Sequence, residues 1–206
     1  MIRKMSLSLI LISTVLFAKE VVWDFENTSV GEIPKQWTVA ATHPKDPLAS
    51  WQVTKEKGGK ALTLSKINAP YGSTFNLCFM KSFAFKDGEI SVKFRANSGE
   101  IDQGGGIMWR ARDKDNYLVA RFNPLEDNFR FYSVIDGNRH ELASADVKLS
   151  KGWHTMKIVQ KGEDFTGYLD DKQLLSYKDV PLKEAGGVGV WTKSDAATSF
   201  DDFKVK

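Results

Sequence analysis

The stretch from Gly104 to Tyr132, GGGIMWRARDKDNYLVARFNPLEDNFRFY, decides the fold class. It holds three segments in which apolar and polar side chains alternate, joined by two polar turns. Alternation of period two is the signature of a strand with one face in a core. Ile107 and Trp109 oppose Met108 and Arg110. Leu118, Ala120 and Phe122 oppose Tyr117, Val119, Arg121 and Asn123. Phe129 and Phe131 oppose Arg130 and Tyr132. If the apolar sides pair inward, Arg110, Arg121, Asn123, Arg130 and Tyr132 collect on one outer sheet face. The residues of this stretch form no recognisable catalytic set, so it points to a place rather than to a reaction.

The pattern continues on both sides. Val21–Phe25, Trp51–Thr54, Lys60–Leu64, Phe75–Phe85 and Glu89–Ala96 read as strands before it. A short strand around His140–Leu142, then Trp153–Val159, Phe165–Leu169, Gln173–Tyr177, Gly186–Trp191 and Ser199–Val205, follow it. Trp37–Ala40 is a brief apolar patch between two loops. Turn signals such as Lys86-Asp87-Gly88 and Asp136-Gly137-Asn138 separate the strands, and no segment keeps a helical period. The expectation is an all-β, two-sheet antiparallel jelly-roll sandwich whose first and last strands pair with each other.

Arg3 and Lys4 precede an apolar run, Ser6–Phe17, that ends at Ala18. This is the outline of a secretory signal peptide, residues 1–18, followed by a single domain over 19–206. The expected location is periplasmic or secreted, with no transmembrane segment in the mature chain. The chain has 29 basic and 26 acidic residues, net +3; without Arg3 and Lys4 the balance is +1. Such a neutral domain lacks the electrostatic footprint of a nucleic-acid binder. Cys78 is the single cysteine and sits in apolar context, so a buried inert thiol is expected.

Several marks along the mature chain resemble the concanavalin A-like lectin/glucanase superfamily. They are Asp24-Phe-Glu with Gly31 and Pro34-x-x-Trp37, Gly106-Ile-Met-Trp-Arg110, Asp113-x-x-Asn116-Tyr117, Gly152-Trp-His-Thr155, Gly167-Tyr-Leu-Asp170, Gly187-Val-Gly189 and Phe200-Asp-Asp-Phe203. Within that superfamily the chain looks closest to secreted bacterial laminin G-like and 3-keto-disaccharide hydrolase-like domains. The resemblance implies a carbohydrate or glycan ligand, bound by a lectin-like domain or acted on by a sugar-active enzyme. A structural or protein-interaction domain is the third reading.

Some glucanases of the superfamily carry Glu-x-Asp-x-x-Glu on one strand. Here Glu100-Ile-Asp102 is followed by Gly105 at the last position. Retaining hydrolysis needs two carboxyls roughly 5 Å apart, so this motif is rejected as a catalytic set. The outer face is the better candidate. Gly187, Gly189 and Trp191 share its phase, with Lys193 and Asp195 just beyond and Glu126 in a turn. Glycines there would let a ligand approach the backbone, Trp191 could stack on a sugar ring, and arginine and asparagine donate to hydroxyls. The bland alternative is a solvated antiparallel face. For an enzyme, Glu126, Asp195 and His140 are the candidate acid/base groups. No cofactor is expected. Asp24, Asp201 and Asp202 could gather where the termini meet; plain turn and edge carboxylates are preferred there over a structural Ca²⁺, which needs six or more oxygens. His43, His140 and His154 are read as structural or surface groups.

Overall fold

A computed structural model describes residues 20–67 and 72–206. The expected signal peptide lies outside the described residues. Among them no residue is helical, and the strands divide into two antiparallel sheets. The first sheet runs β13 (Lys172–Tyr177), β12 (Asp164–Leu169), β11 (His154–Lys161), β6 (Gly88–Ser98), β15 (Ala197–Val205), β4 (Gly59–Lys66), β3 (Ser50–Glu56). The short β1 (Val21–Trp23) pairs with β15, joining the first strand to the last as the sequence predicts. The second sheet runs β10 (Asn138–Asp146), β9 (Asn128–Ile135), β8 (Asn116–Asn123), β7 (Gly105–Asp113), β14 (Gly186–Lys193), β5 (Phe75–Phe85), β2 (Thr38–Thr42). Thus the patch after Trp37 is an edge strand, and the segment around His140 is a full strand rather than a short one.

The apolar phase of each strand faces the opposite sheet. Ile107, Trp109, Leu118, Ala120, Phe129 and Phe131 meet Ile90, Val92, Phe94, Met156, Ile158 and Phe165 in one core. Trp109 is fully buried and donates from Nε1 to Gln160 Oε1 at 2.9 Å, so this core indole leaves no orphan donor. Cys78 lies in this core, and burial pushes its thiol far up, as expected for an inert cysteine. Trp51, whose side the sequence leaves open, is core and packs on Phe200.

Register carries one row of outward residues across the second sheet: Ala40, Leu77, Trp191, Gly106, Arg121, Arg130, Ser144. The next row is Thr38, Phe79, Gly189, Met108, Val119, Tyr132, Glu141. This face is not simply wet. Leu77, Phe79, Met108, Tyr117, Val119, Tyr132 and Trp191 form a second, separate apolar cluster upon it.

The face is closed by its own curvature. Thr42 and Lys114 stand at opposite ends of the sheet by register. Nevertheless Thr42 Oγ1 donates to Lys114 O at 2.5 Å and lies 2.9 Å from Tyr117 Oη. Next to it, His43 Nε2 donates to Gly137 O at 3.0 Å, and Gly137 N donates to Asp115 O at 2.9 Å. Strand twist, accumulated over seven strands, brings the β7–β8 and β9–β10 turns across to the end of β2.

Candidate functional site

β8 and β9 place Arg121 opposite Arg130, and Asn123 opposite Asn128. The turn between them returns Glu126 to this face, and a hydrogen-bonded network follows. Arg121 is 1% exposed and donates from Nη1 to Asn128 Oδ1 (2.7 Å) and from Nη2 to Glu126 Oε2 (3.0 Å). Asn128 Nδ2 donates to the same Glu126 oxygen at 3.0 Å. Asn123 Nδ2 donates to Glu126 Oε1 (3.1 Å) and to Asp102 Oδ1 (2.9 Å). Lys193 Nζ completes the chain on Asp102 Oδ2 at 2.8 Å. Arg130 pairs with Glu126 at 3.2 Å and Glu141 at 3.4 Å, and donates from Nε to Ser144 Oγ at 3.0 Å.

Burial sorts these groups into two kinds. Arg121, Asn123, Asn128, Tyr132 and Asp102 are buried and brace the turns. Glu126, Arg130 and Glu141 keep 40%, 29% and 48% of their side chains exposed. Partial burial pushes the Glu126 carboxyl up, but donors from Asn128 and Arg121 and the charges of Arg121 and Arg130 outweigh it and hold it below the usual range. Glu126 is therefore a fixed carboxylate. Asp195 is another: burial opposes the shift, yet the amides of Glu100, Ile101 and Asp102 hold its carboxyl down, at 2.6 to 3.1 Å. It shapes the loop before β7 and does not face a ligand from the sheet. Glu100, the decoy of the sequence, contributes its amide to that cap.

Three sequence expectations change here. Arg110 leaves the face. A bulge interrupts the β7–β8 ladder between Trp109 and Asp113, with Arg110 at φ 48°. The bulge breaks the two-residue phase, so Ala111 follows Met108 outward. The fully buried Arg110 side chain instead donates to Lys86 O (3.0 and 2.8 Å), Leu182 O (2.9 Å) and Gly162 O (2.7 Å). Trp191 does have the outward phase, but it is 1% exposed, packs on Phe75 at 5.3 Å and donates from Nε1 to Tyr117 Oη at 3.2 Å. It is a post under the closed face and presents no free ring to a sugar. A Cβ at Gly189 would stand 2.4 Å from Cys78 O and Phe79 Cα, and one at Gly187 2.6 Å from Met80 O. These glycines let strands pack closely; they do not open backbone to a ligand.

The remaining candidates are structural or separate. His140 lies on the opposite side of β10 from Arg139 and Glu141, which pair with Val134 and Tyr132, so it does not join Glu126. His154 is bonded through Nδ1 to Asp170 Oδ2 (2.6 Å) and through Nε2 to Ser150 O (2.9 Å). Asp113 caps its own turn, accepting from Asp115 N at 2.8 Å and Asn116 Nδ2 at 3.0 Å. Asp202 pairs with Lys93 at 2.7 Å, and among the described residues no three His, Cys, Asp or Glu side chains gather as a metal set. Where the ends of the curled face meet, a cleft of about 360 Å³ stays open between His43, Phe75, Arg139 and Lys193. Sequence reasoning missed Arg139, which stacks on Tyr132 at 4.3 Å and Phe75 at 5.3 Å. Its polar phase on β10 was the available signal.

Two sheets of seven antiparallel strands or more, packed core to core with this strand order, decide the architecture. The fold is the concanavalin A-like jelly roll. Solved structures agree. The chain is similar to a carbohydrate-binding module, CBM66, from Bacillus subtilis, at 19% identity and TM-score 0.64, over 83% of this chain and 96% of that one. It is similar to a Bacillus licheniformis β-glucanase at 11% identity and TM-score 0.61, over 92% and 98%. The exoplasmic/lumenal domain of VIP36, solved with Ca²⁺ and mannose bound, shares 14% identity and TM-score 0.60, over 91% and 88%. No protein-family model and no curated protein matches the sequence. At these identities the jelly roll is what is shared.

Proposed function

We propose that this jelly roll is an exported, non-catalytic carbohydrate-binding domain. Its glycan ligand would lie on the β8–β10 side of the second sheet. The observation that carries the reading is the exposed Glu126–Arg130–Glu141 array. A guanidinium flanked by two carboxylates alternates donors and acceptors. Vicinal sugar hydroxyls each donate and accept, so such an array suits them. Buried Arg121, Asn123 and Asn128 hold the array in place, which lowers the entropy lost on binding. Sugar-related neighbours of the same fold support the class of ligand. Met1–Ala18 supports export to the periplasm or the medium.

The fixed ionisation of Glu126 and Asp195 suits acceptors rather than proton donors. His140 lies on the other side of its strand. A 3-keto-glycoside hydrolase-like enzyme would need one of these as its acid/base, so binding is the preferred activity. The test is a glycan array followed by calorimetry on the mature chain, with Arg130→Ala beside the wild type. Wild-type binding that weakens roughly tenfold or more in Arg130→Ala supports the reading, a loss of about 1.4 kcal/mol. No binding to any neutral or acidic glycan, or turnover of a 3-keto-glycoside that Glu126→Gln abolishes, overturns it.

A further inference from the structure

A larger cavity lies apart from the Glu126 array, at the end of the sandwich where the two sheets part. It measures about 640 Å³, within the range of small-ligand sites. Its floor is apolar: Phe94 from the first sheet and Phe122 from the second, 6.0 Å apart, with Pro124 and Leu149 beside them. The floor is therefore the open end of the core itself. Over it hangs the segment 147–153, which joins β10 to β11.

That segment is held at both ends. Val147 N donates to Asp127 O at 2.8 Å, and His154 Nε2 bonds Ser150 O at 2.9 Å. Arg95 forms the opposite wall. Its guanidinium is held by Glu56 (2.9 and 2.8 Å) and Asn97 (2.8 Å), and the Trp153 ring lies against it at 4.9 Å. Arg95 thus fixes Trp153, which still has 37% of its surface exposed and stands in the chain between Gly152 and His154 of the lining.

The rim carries charge of one sign in excess. Lys148 and Lys151 line the mouth, and both are exposed. Lys148 reaches Asp127 only loosely, at 3.6 Å, with 83% of its side chain exposed. Among the described residues Asp127 is the single carboxylate on the lining, so the lysines outnumber it. Ammonium groups on flexible stems attract an anion as point charges and leave its hydroxyls to the neutral lining. Asn97 and Gln103 supply that neutral hydrogen bonding.

From this geometry we infer that the cavity binds one uronic-acid residue of an acidic saccharide. The ring packs on Phe122 and Leu149, and its carboxylate sits between Lys148 and Lys151. The site rests on the carbohydrate reading for its class of ligand but shares no residue with the Glu126 array. The mature chain is titrated with a galacturonate trimer and with a neutral trimer of the same linkage. Calorimetry and the Trp153 indole N–H resonance, assigned with Trp153→Phe, are recorded at low and high salt. The expectation is preferential binding of the acidic trimer that weakens with salt, shifts the Trp153 resonance and falls roughly tenfold or more in Lys148→Gln/Lys151→Gln. An unmoved Trp153 resonance, equal binding of the neutral trimer, or full affinity in the double-lysine variant overturns the inference. Loss in Arg130→Ala alone would overturn it while supporting the sheet-face array. Absence of acidic-trimer binding overturns it too, and leaves neutral glycans at the array to be judged by the array experiment.

Discussion

Replacing Arg110 separates two meanings of one residue. By sequence phase it belongs to a ligand face; by structure it is a buried clasp. Its guanidinium ties three carbonyls from three separate segments: Lys86 O after β5, Gly162 O after β11, and Leu182 O before β14. The Asp87 carboxylate lies 3.6 Å away and is half exposed, so its share is small. Burial lowers the affinity of the guanidinium for its proton, and the nearby acidic charges of Asp87, Glu163 and Glu184 offset only part of this.

The cost of Arg110→Met follows from those partners. The bond to Leu182 O is fully buried, and losing it strands an acceptor at about 1–3 kcal/mol. The bonds to Lys86 O and Gly162 O are part-buried, and water replaces the donor at roughly 0.5–1.5 kcal/mol each. Relief from burying a charge returns some of this. A net loss of about 3 kcal/mol corresponds to a fall in Tm of roughly 6–12 °C for a domain of this size. Urea denaturation followed by tryptophan fluorescence measures it, with an unchanged slope expected. Arg110→Lys should recover little, because one ammonium cannot span three carbonyls. Stability within about 0.5 kcal/mol of wild type, the range of ordinary surface substitutions, would refute the reasoning. So would full stability combined with lost glycan binding, which would return Arg110 to the ligand face.

Two further outcomes test the same picture. The lowered carboxyls of Glu126, Asp195 and Asp113 give stability that is present above their unfolded values, near pH 4, and lost as pH falls through their lower folded ones. Glu126→Gln should therefore cost about 1–2 kcal/mol at pH 7, discounted for the exposure of Glu126, and markedly less at pH 3; an equal deficit by chemical denaturation at both pH values would count against the ion pair with Arg121. Gly189→Ala should lower stability by about 1–3 kcal/mol through overpacking against the backbone of β5; a neutral result in thermal melts would show that the strands have room to spare.

The fold was legible because alternation is local. Phase alone placed Trp109, Leu118, Phe122, Phe129 and Phe131 in the core and Arg121, Asn123 and Tyr132 on the other side. It misplaced Arg110, since a bulge at an arginine with positive φ carries no glycine or asparagine signal. The phase of Trp191 was right and its exposure was not. Phase tells which side of a sheet a residue takes, whereas exposure depends on what lies above that side.

What lies above it is set by curvature, and curvature is a sum. Each strand adds a small twist, and only the accumulated rotation brings Thr42 to Lys114, 72 residues along the chain. No single residue encodes that meeting. The same holds for the cavity, whose walls come from the ends of β6 and β8 and from the segment before β11. Its one local signal was Lys148-Leu-Ser-Lys-Gly152, a polar loop carrying two lysines. In a curled jelly roll the closed face consumes its own aromatics, and the two binding sites proposed above lie where curvature leaves the surface open: the turn at Glu126 and the parted end of the sandwich.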